Sequence, residues 1–521
     1  MLARQHIIIG DRAKRGYACG KSRMRSAFFC FVAAALPVLL VVGARADDEQ
    51  SLGNLLFTDP NLSLNRNQSC STCHSLAPAT DPATQLPFGT PGFVDPLNVL
   101  YGTPVSTGST AGDFGALNAP SVGYAAFSPD FFWDPVAAQY TGGQFWNGRA
   151  TNLEAQAAMP LLNPLEMGMP SEWAVVTRLQ ENTNYVGLFR QIYGLDLATI
   201  PPGDLSPATN PPPGAVPAVY AATTQAIAQF ERGPVFNQFT SKFDFWLAGM
   251  TTLSSNEMSG YNLFSVKVGC ADCHTSFPTV DSSGNTTPPL FSAFIYANVG
   301  EPRNWNIPGA PAPDPGLGGR PDIAAAWPDG SQLGLHKTVS LRNVALTPPY
   351  GHNGVFSTLE QVVHFYNTRD TLGLVDSNTN AEFGITGWPP PEISTNMSVD
   401  EIGKLRLTAE QEAEIVAFLE TLTDNYPATG GDPNVPPGTP SPFANTPLPS
   451  IPVKLRATSP GGMTLQGRLG KSYQIEFSDS LGAPRAWQIL ASVRLGTNGL
   501  AVADTNTVAS ASRFYRAVEL P

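Results

Sequence analysis

The sequence predicts a mainly α fold, two tandem helical domains with long loops followed by a small all-β module, and three observations carry that expectation. Two CxxCH pentapeptides, Cys70-Ser71-Thr72-Cys73-His74 and Cys270-Ala271-Asp272-Cys273-His274, stand 200 positions apart in similar settings. Apolar residues recur at helical spacing around both, over 152–158, 171–193, 219–230 and 408–423. Beyond a Pro/Gly-rich stretch the pattern changes to alternating apolar and polar positions, the period of half-buried strands.

A CxxCH site attaches a c-type haem: its thiols bond the vinyl groups and its histidine supplies the proximal iron ligand. Two CxxC pairs can also close a tetrahedral zinc site. The histidine after both pairs, and their separation, favour one covalent haem in each of two cytochrome c-type domains. The cofactor set Cys70, Cys73, His74 and Cys270, Cys273, His274 points to electron transfer, peroxide activation or oxygen activation.

Such haems are attached outside the cytoplasm, and the N-terminus agrees. Lys21, Arg23 and Arg25 precede an apolar run over 27–42, and Ala44-Arg45-Ala46 is a small-x-small cleavage pattern. The run is short for a membrane span and is broken by Pro37, so a cleaved signal peptide over 1–46 is expected ahead of an uncleaved anchor. The residues before Met24 resemble no standard signal, which makes Met24 an alternative start. Cys19 and Cys30 leave with this segment, so the CxxCH motifs use every cysteine of the mature chain. The expected location is the bacterial periplasm, with no stable membrane insertion after cleavage. The net charge of −12 becomes more negative once the basic leader is lost. It argues against nucleic acid and suits either a basic partner, such as a small cytochrome, or simple solubility.

The N-terminal haem domain is placed at 47–235, with an apolar run over 52–57 before the first motif and a Gly/Pro/Ser/Thr-rich stretch over 77–144 that reads as loops. The C-terminal haem domain is placed at 236–425. There Ser254 and Glu257 form a capping box, opening a helix that runs through 264 towards Cys270. Thr408 and Gln411 open another, with Ile415, Phe418, Leu419 and Leu422 on one face. Residues 426–450 read as a Pro-rich linker. In 451–521 the segments 473–477, 487–490 and 514–518 read as strands of a fibronectin III-like sandwich. It has no titratable cluster and so suits docking or spacing.

No histidine lies between His74 and His274, so the first domain has no second imidazole for its own iron. A haem with an open sixth site binds peroxide, whereas two strong protein ligands favour electron transfer. Met159, Met167 and Met169 are the alternatives for that position. Cleaving peroxide needs a group that moves a proton from one oxygen to the other and a polar group that holds them. Glu154, Gln156 and Glu166 offer such groups, against the plain reading of solvated helix and loop positions. Trp146 reads as a core aromatic or, between two haems, as an electron relay.

The segments Gln144-Phe145-Trp146-Asn147-Gly148-Arg149-Ala150, Leu153-Glu154-Ala155-Gln156 and Glu166-Met167 resemble the bacterial di-haem cytochrome c peroxidase family. So does Leu341-Arg342-Asn343-Val344-Ala345-Leu346-Thr347-Pro348-Pro349-Tyr350-Gly351-His352-Asn353-Gly354, and the resemblance runs from about residue 52 to 423. It implies that Trp146 lies between the haems, that Gln156 and Glu166 are the distal amide and acid, and that Pro160 lies over the iron. It also implies a calcium ion bridging the domains through Asn118, Thr347 and Pro349. Carbonyl and amide oxygens suit calcium. The family's Asp in the Trp-Asp-Gly-Arg motif is Asn147 here.

Two departures bear on subtype. Many of these peroxidases cap the first iron with a histidine placed after the first CxxCH; this chain has none, so no reductive activation is expected. Where they place methionine as sixth ligand to the second haem, fourteen positions after His352, this chain has Tyr366, as in the branch similar to the enzyme that matures methylamine dehydrogenase (MauG-like). A phenolate favours oxidised iron where a thioether raises the potential. His364 and Met397 compete for that position, while His336 and His352 read as structural hydrogen-bonders. The expected activity is reduction of hydrogen peroxide with electrons from a small cytochrome c, a cupredoxin or another donor. The alternatives are oxidation of aromatic residues on a partner protein and plain electron carriage.

Overall fold

A computed structural model describes residues 44–78, 91–203, 212–280, 284–451, 453–459, 462–478, 487–496, 499–504 and 513–520. The predicted export segment lies outside the described residues except for its last three positions, which open the helix Ala44–Phe57. Among the described residues no helix is long and apolar enough to cross a membrane.

Each helical half is built on a close helix pair that glycine permits. In the first, the helix Val216–Glu231 is buried on nearly every side and packs on Ala44–Phe57 and Leu153–Leu162. A Cβ at Gly53 would overlap the Ala226 carbonyl oxygen, so any side chain there would force the pair apart. In the second, Ser255–Asn262 crosses Ala409–Glu420 in the same manner, with Gly260 set against the Glu414 carbonyl. Both helices of that pair begin at the expected capping boxes, Ser254 with Glu257 and Thr408 with Gln411.

Two expectations change in detail. The single helix read over 171–193 is two, Glu172–Gln180 and Thr183–Tyr193, because the Asn182 side chain accepts from Asn184 N and restarts the helix. The stretch 77–144 is mostly irregular where described, yet it holds the hairpin Phe132–Asp134 with Gln139–Thr141 and the short helix Pro96–Tyr101.

The Pro-rich segment after the second half lies against the protein. Val435 is fully buried, Ser441 Oγ donates to the Phe239 carbonyl at 2.6 Å, and Asp432 is held by Thr251 and Tyr426. Beyond it, six strands form two three-stranded antiparallel sheets, ordered Leu500–Ala503, Gly462–Gln466, Lys454–Ser459 and Gln488–Arg494, Ser472–Ser478, Phe514–Glu519. The inner faces of these sheets join the first half's core, Leu465, Leu469, Tyr473, Ile475 and Leu495 clustering with Leu52 and Tyr193.

At the centre of the second half Arg342 and Asp244 form a bidentate pair, both bonds 2.9 Å, with neither side chain exposed. Arg342→Met leaves a buried carboxylate unpaired and is expected to cost about 3–5 kcal/mol in denaturant unfolding, with most of the loss recovered when Asp244→Asn is added.

Candidate active site: two CxxCH turns and the seam between them

Each CxxCH motif forms one helical turn, Cys70–Cys73 and Cys270–Cys273, with the histidine closing it as its backbone N–H bonds the first cysteine's carbonyl at 2.9 Å. None of the four thiols is in a disulfide. His74 Nδ1 faces the Phe93 carbonyl at 3.4 Å and His274 Nδ1 faces the Phe291 carbonyl at 2.9 Å. An imidazole that gives its Nδ1–H to a carbonyl presents Nε2 to a metal in a fixed orientation. Burial pushes the His74 imidazole down to about 4, which keeps that nitrogen unprotonated at neutral pH. Thiols, orientation and tautomer all fit covalent haem at both turns.

The first turn opens into a cleft of about 500 Å³ whose lining includes Cys70, Cys73 and His74 together with Gln156, Pro160 and Glu166. The structure thus brings the expected distal residues to the same cleft as the proximal histidine. Gln156 and Pro160 share the helix Leu153–Leu162, started by Asn152, whose side chain accepts from Ala155 N. Pro160 has no N–H, so it cannot pair the Gln156 carbonyl four residues back. Glu166 follows a tight turn in which Asn163 Nδ2 donates to Glu166 Oε1 at 2.6 Å. Burial raises the Glu166 carboxyl above its ordinary range, against the opposing pull of Asn163 and Arg149. A carboxyl whose proton affinity burial has raised, facing a cleft, is the type of group that proton transfer uses. Glu154 is engaged elsewhere, in a bidentate pair with Arg232 at 2.6 and 3.1 Å. Of the competing methionines, Met159 is 38% exposed, Met169 packs into the core, and Met167 lines the cleft.

Glu231, on the helix Val216–Glu231, also lines the cleft, with Oε2 buried and without a hydrogen-bond partner among the described residues. Nothing local in the sequence marks it, because an acid at a helix end reads as solvated. Burial pushes its carboxyl up to about 8.

The seam between the halves is held by Asn118. Its carbonyl accepts from Trp146 Nε1 at 2.8 Å, its N–H donates to the His352 carbonyl at 2.9 Å, and its amide end lies 2.5 Å from the Pro349 carbonyl oxygen. Asn118 and Pro349 are therefore together; which end of the amide faces Pro349 is set by what shares the site. Among the described residues no group of three or more His, Cys, Asp or Glu is arranged for a metal, so an ion here would rest on amide and carbonyl oxygens, including that of Thr347. Asn147 Oδ1 accepts from Arg149 N and Nη1, both at 3.3 Å.

At the second turn Tyr366 lies within electrostatic range of the thiols. Burial first, then Glu301, Cys273 and Cys270, raise its phenol. His364 is turned to Glu412, with Nδ1 at 3.0 Å. Met397 lies with its methyl against Gly300. His336 and His352 stack at 3.7 Å, and four hydrogen bonds to Gly334, Asp314, Glu301 and Glu392 occupy all their ring nitrogens.

A family model, di-haem cytochrome c peroxidase, matches residues 47–252. The chain is 35% identical over 408 residues to methylamine utilization protein MauG of Paracoccus denitrificans, covering 75% of this chain and 95% of that one. It is 31% identical to cytochrome c551 peroxidase of Nitrosomonas europaea, covering 75% and 84%. Among solved structures, the di-haem peroxidase BthA of Burkholderia thailandensis aligns with a TM-score of 0.57 and 28% identity, covering 78% of this chain and 90% of that one.

Glu231 generates a pH prediction. Below its ordinary value of 4.5 the carboxyl is protonated whether the chain is folded or unfolded. As pH rises towards 8 the unfolded chain ionises first, so the folded state loses stability. Glu231→Gln is expected to be more stable than the parent at pH 8, with the advantage vanishing below pH 4.5, as read by denaturant unfolding across that window.

Proposed function

The chain belongs to the di-haem cytochrome c peroxidase family and is an oxidoreductase; from that premise we propose that it reduces hydrogen peroxide in the cleft beside Cys70, Cys73 and His74. The convergence of Gln156, Pro160 and Glu166 on that cleft is the observation that carries the reading. A haem bound there supplies the metal that binds peroxide and the electrons that break its O–O bond. Glu166 moves the proton between the two oxygens, with Asn163 fixing its carboxyl, and the Gln156 amide orients the bound oxygens. Pro160 presents apolar ring carbons, which keep a competing ligand away. Trp146, pinned to Asn118, passes oxidising equivalents between the two halves, and Asn118, Thr347 and Pro349 hold the bridging calcium. The enzyme works in the periplasm, fed by a small electron-donor protein. The C-terminal sheets form a fibronectin III-like module.

A second reading, oxidation of aromatic residues on a partner protein, is favoured by Tyr366 at the second turn and by the likeness to methylamine utilization protein. If Tyr366 ligated a haem iron held at the second turn, its phenolate would favour the oxidised state and so would suit charge sharing better than uptake from a donor. Plain electron carriage fits an open cleft with a raised carboxyl poorly.

Electron paramagnetic resonance of the oxidised protein before and after one equivalent of peroxide tests this. The expected result is a high-spin and a low-spin ferric signal, both lost on addition; two low-spin signals that peroxide leaves unchanged would overturn it. Glu166→Gln is expected to slow peroxide cleavage by roughly 10²–10⁴-fold, the usual share of a proton-transfer group. Trp146→Phe is expected to confine the peroxide-induced signal loss to the high-spin site.

A further inference from the structure

Beside the seam, five aromatic rings form a continuous file that begins at the Trp146 turn and ends at half-exposed tryptophans. Gly148, two residues after Trp146, has a positive φ of 66°. A Cβ there would collide with the Tyr296 hydroxyl and come within 2.8 Å of the Phe131 ring. Both rings therefore lie directly against the turn that carries Trp146. Tyr296 is also the strand partner of Lys337, whose N–H bonds the Trp146 carbonyl at 2.7 Å. Phe131 contacts Tyr296 at 5.9 Å and stacks on Tyr140 at 5.0 Å with a 7° interplanar angle. Tyr140 meets Trp133 at 4.9 Å, and Trp133 meets Trp327 at 4.9 Å. Trp327 Nε1 donates to the Tyr140 hydroxyl at 3.2 Å.

Phe131, Tyr140 and Trp327 pack on a small apolar cluster of Tyr296, Leu317 and Ile323. Their outer edge is not closed off: Trp133, Tyr140 and Trp327 are only part-buried, beside Phe132 at 45% exposure. Trp133 and Tyr140 come from the hairpin of the first half, and Trp327 caps the helix Pro321–Ala326 of the second. Tryptophan and tyrosine are the side chains most readily oxidised by one electron. Electron transfer weakens steeply with distance, so rings in contact make an effective relay. Arg320, stacked over Phe131 at 4.3 Å, is paired with Asp322 and adds little net charge to the file.

We propose that the Trp133–Tyr140–Trp327 cluster is a second electron-entry site, at which electron-rich phenolic donors too large for the cleft are oxidised at the surface. This rests on the peroxidase reading above. Electrons pass inward through Tyr140 and Tyr296 to Trp146. Two phenols each lose one electron and one proton and become phenoxyl radicals. Hydrogen peroxide takes up the two electrons and two protons, its O–O bond breaks, and two waters form.

The test uses the holoenzyme, hydrogen peroxide and a phenol tethered to dextran, which cannot enter the cleft. Trp133→Phe combined with Trp327→Phe is expected to abolish oxidation of the tethered phenol. Loss of the ferric signals on one equivalent of peroxide should be unchanged, which also shows that the variant is folded. Retention of the parent rate would overturn the proposal. In the parent, peroxide with a spin trap and no donor should leave adducts on Trp133, Tyr140 or Trp327 by peptide mapping; adducts confined to other residues would overturn it. A parent whose ferric signals ignore peroxide would instead sink the peroxidase reading itself.

Discussion

The guanidinium of Arg342 is the interaction on which the second half and the seam both depend. It is a full charge with 1% exposure, and burial of that kind is tolerated only when every donor is paired. Asp244 takes two of its bonds and the Pro289 carbonyl a third at 2.8 Å, while Tyr124 and Phe239 pack over its face at 4.8 and 4.6 Å. Tyr124 belongs to the first half, and its hydroxyl reaches Asp424, which also bonds Asn343 and Thr240. The same charge lies 6.0 Å from Phe291, whose carbonyl orients His274. One desolvated ion pair thus ties together the two halves and the second proximal histidine. Buried polar networks of this sort hold one arrangement because any half-satisfied alternative is costly.

Chemistry in the first cleft follows from a local constraint of the same kind. The helix carrying Gln156 ends within one turn of Pro160, and the chain then doubles back through Asn163 to Glu166. Hydrogen bonds from Glu166 N, Met167 N and Gly168 N to the carbonyls of Asn163 and Pro160 lock that return. Amide, ring and carboxyl are thereby delivered to one wall from eleven consecutive residues, 156–166. Burial, which sets the compact turn, is also what raises the carboxyl, so geometry and acidity share a cause.

Much of this was legible in the sequence, and what was not has a physical reason. The CxxCH turns and the two capping boxes are short-range features, written in neighbouring residues, and the structure forms them where their spacing puts them. The distal trio came from the family resemblance, and its three residues line one cleft. Asn147 could be read as a departure, but not its hydrogen bonds to Arg149, which form across the turn at Gly148. Glu154 and Glu231 are the instructive pair. Glu154 reads as a distal candidate or a solvated helix position, and Glu231 carries no local signal. The first pairs with Arg232, 78 positions away, and the second has Oε2 buried without a hydrogen-bond partner among the described residues. Such outcomes depend on which helices meet, and periodicity does not specify that. Composition reads 426–450 as a Pro-rich linker and does not specify where it lies; Val435 is buried and Ser441 donates to the Phe239 carbonyl.

The C-terminal sheets show how far composition can mislead about independence. Their sequence holds no cluster of titratable groups, which suits docking or spacing and does not specify what they dock on; Arg468 reaches across to Glu49 in the first helix. Glu49 is 3% exposed and also accepts from Tyr193 at 3.0 Å and from Gln225 at 2.6 Å, while Gln225 in turn accepts from Leu469 N at 2.7 Å. A carboxylate so buried is stabilised by a cation, and among the described residues its ion-pair partner is Arg468 of the module. The apolar contacts of Leu465, Leu469 and Leu495 with the first half's core point the same way. The sheets are therefore part of the structure that supports the helices Ala44–Phe57 and Val216–Glu231, and through Glu231 and Cys70 that support reaches the wall of the cleft.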